Sequence, residues 1–392
     1  MNFLSDEQFS FLEKNPNISP SELMLNSSKY PNWNMKFIAQ QLVGRILAKK
    51  KIPTLFETNK LYYPHRISME QCSSEKTAMF KANILDVDSS GIDLTGGFGV
   101  DTYYISKQVK SIVYCEQNED LSAIVNFNFS QLNRENIQFY LGDGLNYLQN
   151  CTPVDWIYID PSRRKDKIKV YDLSDCIPNI FDHLKLIFRK SPVLLLKTSP
   201  LLDIKKTLSD LSTVKRVFVI SVDNDCKEVL YLLNKNYEGE PSISCHNFKS
   251  IQEEIFNFTF SNEKECISHY SSPKKYLYEP NASILKAGAF KMIGKHFGLH
   301  KIHPNSHLYT SDKYINRFPG RSFLVQEIVS PNSKSIPSNL GGKANLKCRN
   351  FPIKIDFLRK KLNINDGGEY YIFATTLNCD KPRLILCKKA LC

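Results

Sequence analysis

Between residues 85 and 235 short apolar runs alternate with amphipathic stretches, and no other feature of the chain constrains its fold as tightly. The runs ILDVDSSGIDL, SIVYCE, NIQFYLGD, VDWIYIDP, PVLLLKTSP, VKRVFVISV and EVLYLLN read as strands, rich in Ile, Val, Leu and Tyr and bounded by Gly, Asp, Asn or Pro. Strands separated by helix-length segments lie parallel, because a parallel pair needs a long crossover that returns over the sheet. One such helix is explicit: Ile177, Ile180, Phe181, Leu184, Ile187 and Phe188 fall on one face. The last two runs depart from this pattern. Only a few residues, around Asp223, Asn224 and Asp225, separate VFVISV from EVLYLL, too few for a crossover, so an antiparallel hairpin is expected there.

The flanks differ in character. Residues 1–65 form a helical N-terminal region, with Phe37, Ile38, Leu42, Val43, Ile46 and Leu47 at helical spacing. The α/β block takes residues 66–236, a connecting segment follows over 237–271, and two small domains are expected at 272–333 and 334–392. Pro273, Pro280, Pro304, Pro319, Pro331 and Pro337 punctuate this C-terminal part.

Charge separates the same halves. Residues 1–240 hold 29 basic and 29 acidic residues, whereas residues 241–392 hold 23 and 11, so the excess of +12 lies wholly in the second block. Clustered Lys and Arg are the footprint of a polyanion partner, RNA or DNA, or of a merely solubilising surface. With 42% hydrophobic and 23% charged residues, disorder, collagen and coiled coil are excluded. The start, MNFLSDEQFSFLEKN, lacks a basic region leading into an apolar core, and no apolar run approaches the roughly 18 residues a bilayer demands. A cytoplasmic protein without a membrane partner is expected. The 11 cysteines include no C-x-x-C pair, against both a disulfide framework and a zinc ribbon.

The sharpest chemical signal is GIDLTGGFGVDT, residues 91–102, in which a strand runs into a glycine turn and then a helix. Gly96, Gly97 and Gly99 allow close backbone approach to a ligand, although Thr102 stands where a dinucleotide fingerprint needs its third glycine. Asp93 suits a ligand bearing an ammonium group. Further acids end later strands, where open α/β sheets bind ligands. Glu116 suits ribose hydroxyls, Asp143 an adenine amino group, and Asp160 with Pro161 a reaction centre. Each acid alone is more often a helix N-cap than a ligand, but four in successive strand-end positions are harder to dismiss.

With the hairpin, these features resemble the class I S-adenosylmethionine-dependent methyltransferases. More narrowly, QCSSEKTAMFKA, DPSRR, KTSP, CKE, YEPNASILKAG, RNFPI and GGEYYIFATT resemble a bacterial group assigned as RNA methyltransferases, with ferredoxin-like and THUMP-like C-terminal domains. The resemblance implies a Rossmann-like, seven-stranded sheet whose last strand is reversed, followed by small α+β domains. It implies S-adenosyl-L-methionine as cofactor, with Asp93, Thr95, Gly97, Phe98 and Gly99 around its methionine part and Glu116 at the ribose. Ser73, Ser74 and Thr77 either approach the cofactor or simply start a capped helix.

DPSRR places Ser162 and Arg163 where enzymes acting on exocyclic base amines carry a second proline and an aromatic residue. KTSP carries Thr198 and Ser199 where a pyrimidine C5 enzyme needs a cysteine, and Cys176 falls in an expected helix, so covalent catalysis is disfavoured. Arg163, Arg164 and Lys197 suit a phosphate or carboxylate of the substrate, or Arg163 and Arg164 pair with Asp166 at the surface. His296, His300, His303 and His307 lack the partners of a metal site, and no metal is expected. Tyr276, Tyr278, Phe318, Arg317 and Arg321 mix rings and charge, as base-stacking surfaces do and as ordinary cores also do. The expectation is an RNA methyltransferase. An RNA-binding assembly protein with an idle catalytic fold, or a methyltransferase acting on protein or a small molecule, are the alternatives.

Overall fold

A computed structural model describes residues 4–390 except 17, 59, 163, 166, 167, 170, 171 and 251. The chain divides into two compact units, Met1–Val214 with Tyr231–Glu238, and Lys215–Leu230 with Gly239–Cys392. Among the described residues no helix is long and apolar enough to cross a membrane.

The first unit opens with helices α1 (Asp6–Lys14), α2 (Pro20–Leu25), α3 (Met35–Lys51), α4 (Pro53–Phe56), α5 (Arg66–Gln71) and α6 (Glu75–Ala82). Ile38 and Leu42 of α3 are buried as their spacing predicts, while Ile46 is exposed. Gly44 lies so close to Tyr63 that an added Cβ would stand 2.1 Å from the Tyr63 Cβ. Two amide side chains fix the segment that leads towards the sheet. Gln41 accepts from the Tyr63 N–H at 2.8 Å and donates to its carbonyl at 2.9 Å. Asn128 does the same for Tyr62, at 2.9 and 2.8 Å.

The strands that follow are β1 (Ser90–Asp93), β2 (Ser111–Glu116), β3 (Ile137–Leu141), β4 (Trp156–Ile159), a short ribbon β5 (Arg164–Lys165) and β6 (Ile168–Lys169), β7 (Val193–Thr198), β8 (Val214–Val222), β9 (Asp225–Asn234), β10 (Ser242–Phe248) and β11 (Glu253–Phe258). Helices α7 (Val100–Ser106), α8 (Glu119–Gln131), α9 (Gly144–Asn150), α10 (Ile180–Lys190) and α11 (Ile204–Asp210) provide the crossovers. The main sheet runs β11-β10-β8-β9-β7-β4-β1-β2-β3. Parallel registers join β3, β2, β1, β4 and β7. All of β4 and all but the first residue of β7 are buried, as strands covered on both faces must be.

The hairpin between β8 and β9 turns on Asp223 and Asn224, with φ of 50° and 64°. Two consecutive left-handed residues make the turn whose twist matches flanking strands. The sheet has nine strands where seven are expected: β10 pairs parallel with β8, and β11 antiparallel with β10. Both lie in the segment 237–271 read as a connector. In β11 exposed and buried residues strictly alternate, so its apolar content is halved and diluted by Glu and Asn. Ile177 is likewise no part of a helix. It pairs with Ser162 in an isolated bridge, and α10 begins at Ile180 behind its Asn179 cap.

The second unit continues with α12 (Phe260–Glu265), β12 (Tyr276–Pro280), α13 (Ala282–Ala287), α14 (Met292–Phe297), β13 (His300–Lys301), β14 (Tyr309–Ser311), β15 (Gly320–Val329), β16 (Asn345–Arg349), α15 (Ile355–Leu362), β17 (Tyr370–Thr376) and β18 (Pro382–Lys389). A single sheet, β13-β14-β12-β15-β18-β17-β16, spans both small-domain regions, because β15 bonds to β12 on one side and β18 on the other. Within this unit a buried polar network links the hairpin turn to the YEPNAS segment. Glu254 accepts from Asn247 at 2.8 Å and Asn281 at 3.0 Å, while Asn224 accepts from the Ala282 N–H at 2.8 Å.

Candidate functional site

The glycine turn leaves β1 by extending its ladders. Leu94 N–H donates to Tyr158 O at 3.0 Å, Gly96 N–H to Cys115 O at 2.8 Å, and Gly99 N–H to Gly96 O at 2.9 Å. Gly97 and Gly99 are left-handed, at φ 56° and 73°, and Gly99 caps α7. The glycines serve different ends. A Cβ on Gly96 would stand 2.1 Å from the Tyr114 ring, and one on Gly99 would stand 2.8 Å from Val125 and Phe129. A Cβ on Gly97 would meet only Thr95 O, at 3.8 Å. Gly97 therefore shows bare backbone to open space, which is the surface a ligand can approach.

Glu116, half-buried at the end of β2, is aimed by that turn. Gly97 N–H donates to its Oε2 at 3.0 Å and Asn118 N–H to its Oε1 at 2.8 Å. A carboxylate offers about four lone-pair sites, so both oxygens keep capacity for ligand hydroxyls. Asp143 is exposed and caps α9, accepting from Leu145 N–H at 2.7 Å. Asp93 is buried with both oxygens engaged, by Thr95 N–H at 3.0 Å and Thr102 Oγ1 at 2.6 Å. Burial pushes its carboxyl up to about 7, against the hydrogen bonds from Thr102 and Thr95. Phe98 is buried in the turn, with its ring centroid 6.3 Å from that of Tyr63.

At the end of β4, Asp160 N–H donates to Thr95 Oγ1 at 2.7 Å, which ties this corner to the glycine turn. Lys197, 8% exposed, donates to Asp160 Oδ2 at 2.5 Å. Asp160 Oδ1 has no hydrogen-bond partner among the described residues. Pro161 is buried, and Ser162 is held by Ile177 through bonds of 2.7 and 3.0 Å. Arg163 lies outside the described residues, as does the side chain of Arg164 within β5.

Ser73 and Thr77 turn inwards. Ser73 Oγ donates to Asp101 Oδ2 at 2.8 Å, Thr77 N–H donates to Ser74 Oγ at 3.3 Å, and Thr77 Oγ1 donates to Ser74 O at 3.1 Å. The group missed from sequence is Asp101. It accepts from Tyr158 Oη at 2.8 Å and pairs with Lys81 at 3.2 Å, and Lys81 has no exposed surface. Burial opposes charge on Asp101, yet Lys81, Lys197, Tyr158 and Ser73 hold its carboxyl below the usual range. The available signal was that Lys81 shares a helix face with Thr77 and Ala78.

Cys72 is a poor nucleophile. Burial pushes the Cys72 thiol up, and its Sγ donates to Met69 O at 3.2 Å. Cys176 follows a 3-10 turn over Leu173–Asp175 and is buried there, not in the helix expected. Among the described residues no group of three or more His, Cys, Asp or Glu could hold a metal. The histidines have separate neighbours: His307 stacks on Phe290 at 3.6 Å, and His303 Nδ1 accepts from Asn305 N–H at 3.0 Å. Tyr278 and Phe318 are core residues, 0% and 5% exposed, not a stacking surface.

A parallel sheet ordered β3-β2-β1-β4-β7-β9-β8, with β9 reversed and a glycine turn after β1, defines the class I methyltransferase fold. Family models match residues 276–319 as a ferredoxin-like domain and residues 320–389 as a THUMP-like domain. A solved structure described as a “putative methyltransferase” from Porphyromonas gingivalis W83 is 30% identical, covers 100% of both chains and superposes with a TM-score of 0.84. The chain belongs to that family, methyltransferases of the class I fold with ferredoxin-like and THUMP-like domains at the C-terminus. TrmK from M. capricolum in complex with S-adenosyl-homocysteine is 15% identical, over 45% of this chain and 71% of its own, with a TM-score of 0.32. No curated protein matches the sequence.

Proposed function

We propose that this protein methylates RNA with S-adenosyl-L-methionine as donor and without a covalent cysteine intermediate. The observation that carries the cofactor assignment is Glu116, a half-buried carboxylate aimed by two backbone N–H groups beside the open face of Gly97. Glu116 would accept from the ribose hydroxyls, Asp143 would face the adenine, and Asp93 with Thr95, Gly96, Gly97, Phe98 and Gly99 would surround the amino-acid end. The donor set fits a ligand rich in hydroxyl and ammonium hydrogens, since carboxylates and carbonyls only accept. When bound, S-adenosylmethionine supplies an electrophilic methyl group on a sulfonium, so the protein has chiefly to position the acceptor and manage one proton. Asp160 Oδ1 would take that proton or orient the group that carries it, a role supported by Lys197 holding the other oxygen.

RNA as substrate is supported by the basic surplus of residues 241–392 and by the THUMP-like match at 320–389. KTSP offers Thr198 and Ser199 at the end of β7, and Cys72 is a half-buried, hydrogen-bonded thiol, which supports a route without a cysteine adduct. The test is calorimetric titration of the full chain with S-adenosylmethionine and with NADH, followed by methyl-labelled donor offered to RNA and to protein extracts. Binding of the first ligand alone, with label in RNA, is the expected result. NADH binding, or label only in protein, would overturn the assignment.

A further inference from the structure

A cavity of about 390 Å³ opens in the second unit beside α14 and β13. Lys291, Lys295, Lys301, His269 and His300 line it, and Glu265 is the one acid among its walls. The positive groups are not neutralised from within. Lys291 Nζ donates to Lys264 O at 3.1 Å and Lys301 Nζ to Pro304 O at 2.7 Å, so both are held by carbonyls. None of the three lysines forms an ion pair among the described residues. The nearby acid, Glu263, is occupied by the N–H groups of Lys291 and Met292, at 2.8 and 2.9 Å.

Lys301 is 4% exposed, and burial presses its ammonium down to about 8, with Lys291 adding like charge against a partial offset from Glu263. His300 Nδ1 is buried without a hydrogen-bond partner, and its ring lies 6.1 Å from that of His269. A buried ammonium without an ion-pair partner, beside the half-buried Lys291 and the exposed Lys295, and an orphaned imidazole nitrogen are unfavourable unless an anion completes them. We propose that this cavity is an anion site that takes a phosphate group, which on the function proposed above is a phosphate of the RNA strand. Lysines meet phosphate as mobile point charges, and the imidazole supplies an oriented partner. Leu299 and Ile267 leave the remaining wall apolar, room for a nucleoside beside the charge.

The test uses the full chain and three probes: inorganic phosphate, adenosine monophosphate and a short labelled oligoribonucleotide read by fluorescence anisotropy across a salt series. Lys291→Gln with Lys295→Gln should weaken oligoribonucleotide binding by about tenfold and flatten the salt dependence by about 0.7 for each phosphate no longer neutralised. A control pair at α15, Lys354→Gln just before its first residue and Lys360→Gln within it, removes the same charge outside the cavity and should stay within about twofold of wild type on the same scale. Lys301→Met is the second variant. It should lose phosphate affinity while its melting temperature is unchanged or raised, because an unpaired buried charge has gone. Equal losses in the cavity and control pairs would overturn the site while leaving RNA binding intact. If wild type ignores RNA but binds phosphate or the mononucleotide, and the cavity pair abolishes it, the site stands and the RNA assignment falls. No binding of any probe would overturn the site.

Discussion

Lys81 Nζ, wholly enclosed, stands 3.2 Å from Asp101 Oδ1, joining the helix before the sheet to the helix that follows the glycine turn. Removing one partner of a buried pair leaves an unpaired charge, at a cost of about 3–5 kcal/mol. Lys81→Met should lose about that much in urea unfolding, and adding Asp101→Leu should recover most of it. The Asp101 carboxyl lies below its ordinary value, so its contribution is present above the unfolded value of about 4 and disappears as pH falls through the lower folded value. Acid titration of stability should show that loss in wild type and lack it in the double variant.

How much of this was legible from sequence depends on which signals survive averaging. The β-α alternation and a hairpin near residues 223–225 follow from run length alone, though not that the turn uses just Asp223 and Asn224. Glu116 was legible as a strand-end acid, though not that Gly97 and Asn118 aim it. The strands β10 and β11 were hidden because alternation with Glu, Asn and Ser makes their windows polar. Lys81 and Asp101 were hidden because a lone Lys or Asp near a helix end reads as solvated until tertiary packing encloses it. Tyr278 was misleading in the opposite sense: neighbouring basic residues suggested a nucleic-acid surface, yet its ring is core and its hydroxyl donates to Lys313 O at 3.1 Å.

Glu116→Ala should weaken S-adenosylmethionine binding by about 10- to 100-fold, the value of two hydrogen bonds of ordinary net strength at a half-buried carboxylate. It also strips the Gly97 and Asn118 N–H groups of their acceptor, so a loss of about 1–3 kcal/mol in stability accompanies it. Glu116→Gln separates the two effects. One amide oxygen satisfies one N–H only, and affinity should fall between wild type and Ala. Calorimetry with parallel melts reads both, and unchanged affinity in both variants would remove Glu116 from the ribose.

Gly97→Ala and Gly96→Ala should fail in different ways. Gly97 has φ 56° and space for a Cβ, so the variant should fold with about 1–2 kcal/mol of backbone strain and lose cofactor affinity by an order of magnitude. Gly96→Ala puts a Cβ 2.1 Å from the Tyr114 ring, which must displace a buried side chain. Thermal melts should place Gly96→Ala well below Gly97→Ala, while titration of the folded Gly97 variant reports the ligand face directly.

Asp160 and Lys197 should matter for transfer more than for cofactor binding. Asp160→Asn keeps the shape of the corner but removes the base, so methyl transfer to RNA should drop by about 10²-fold or more while cofactor affinity stays within about threefold. Lys197→Met frees Asp160 Oδ2 from its 2.5 Å partner and should lower transfer less, because the carboxylate remains. Equal losses in affinity and transfer would place both residues in cofactor binding instead.

Asp93 predicts a proton signature for the same ligand. Burial raises its carboxyl to about 7, so in the free protein its stabilising contribution is complete below about pH 4 and lost as pH rises through 7. A ligand ammonium next to Asp93 favours the ionised form, and an α-amino group is still charged below about pH 7.7. Binding of S-adenosylmethionine between about pH 6 and 7 should therefore release a proton, seen as a binding enthalpy that changes with the ionisation enthalpy of the buffer. Asp93→Asn should abolish the release and flatten the pH dependence of stability over the same range. A wild-type enthalpy indifferent to buffer would mean that the ammonium sits elsewhere, and that Asp93 serves only to hold Thr95 and Thr102 in the turn.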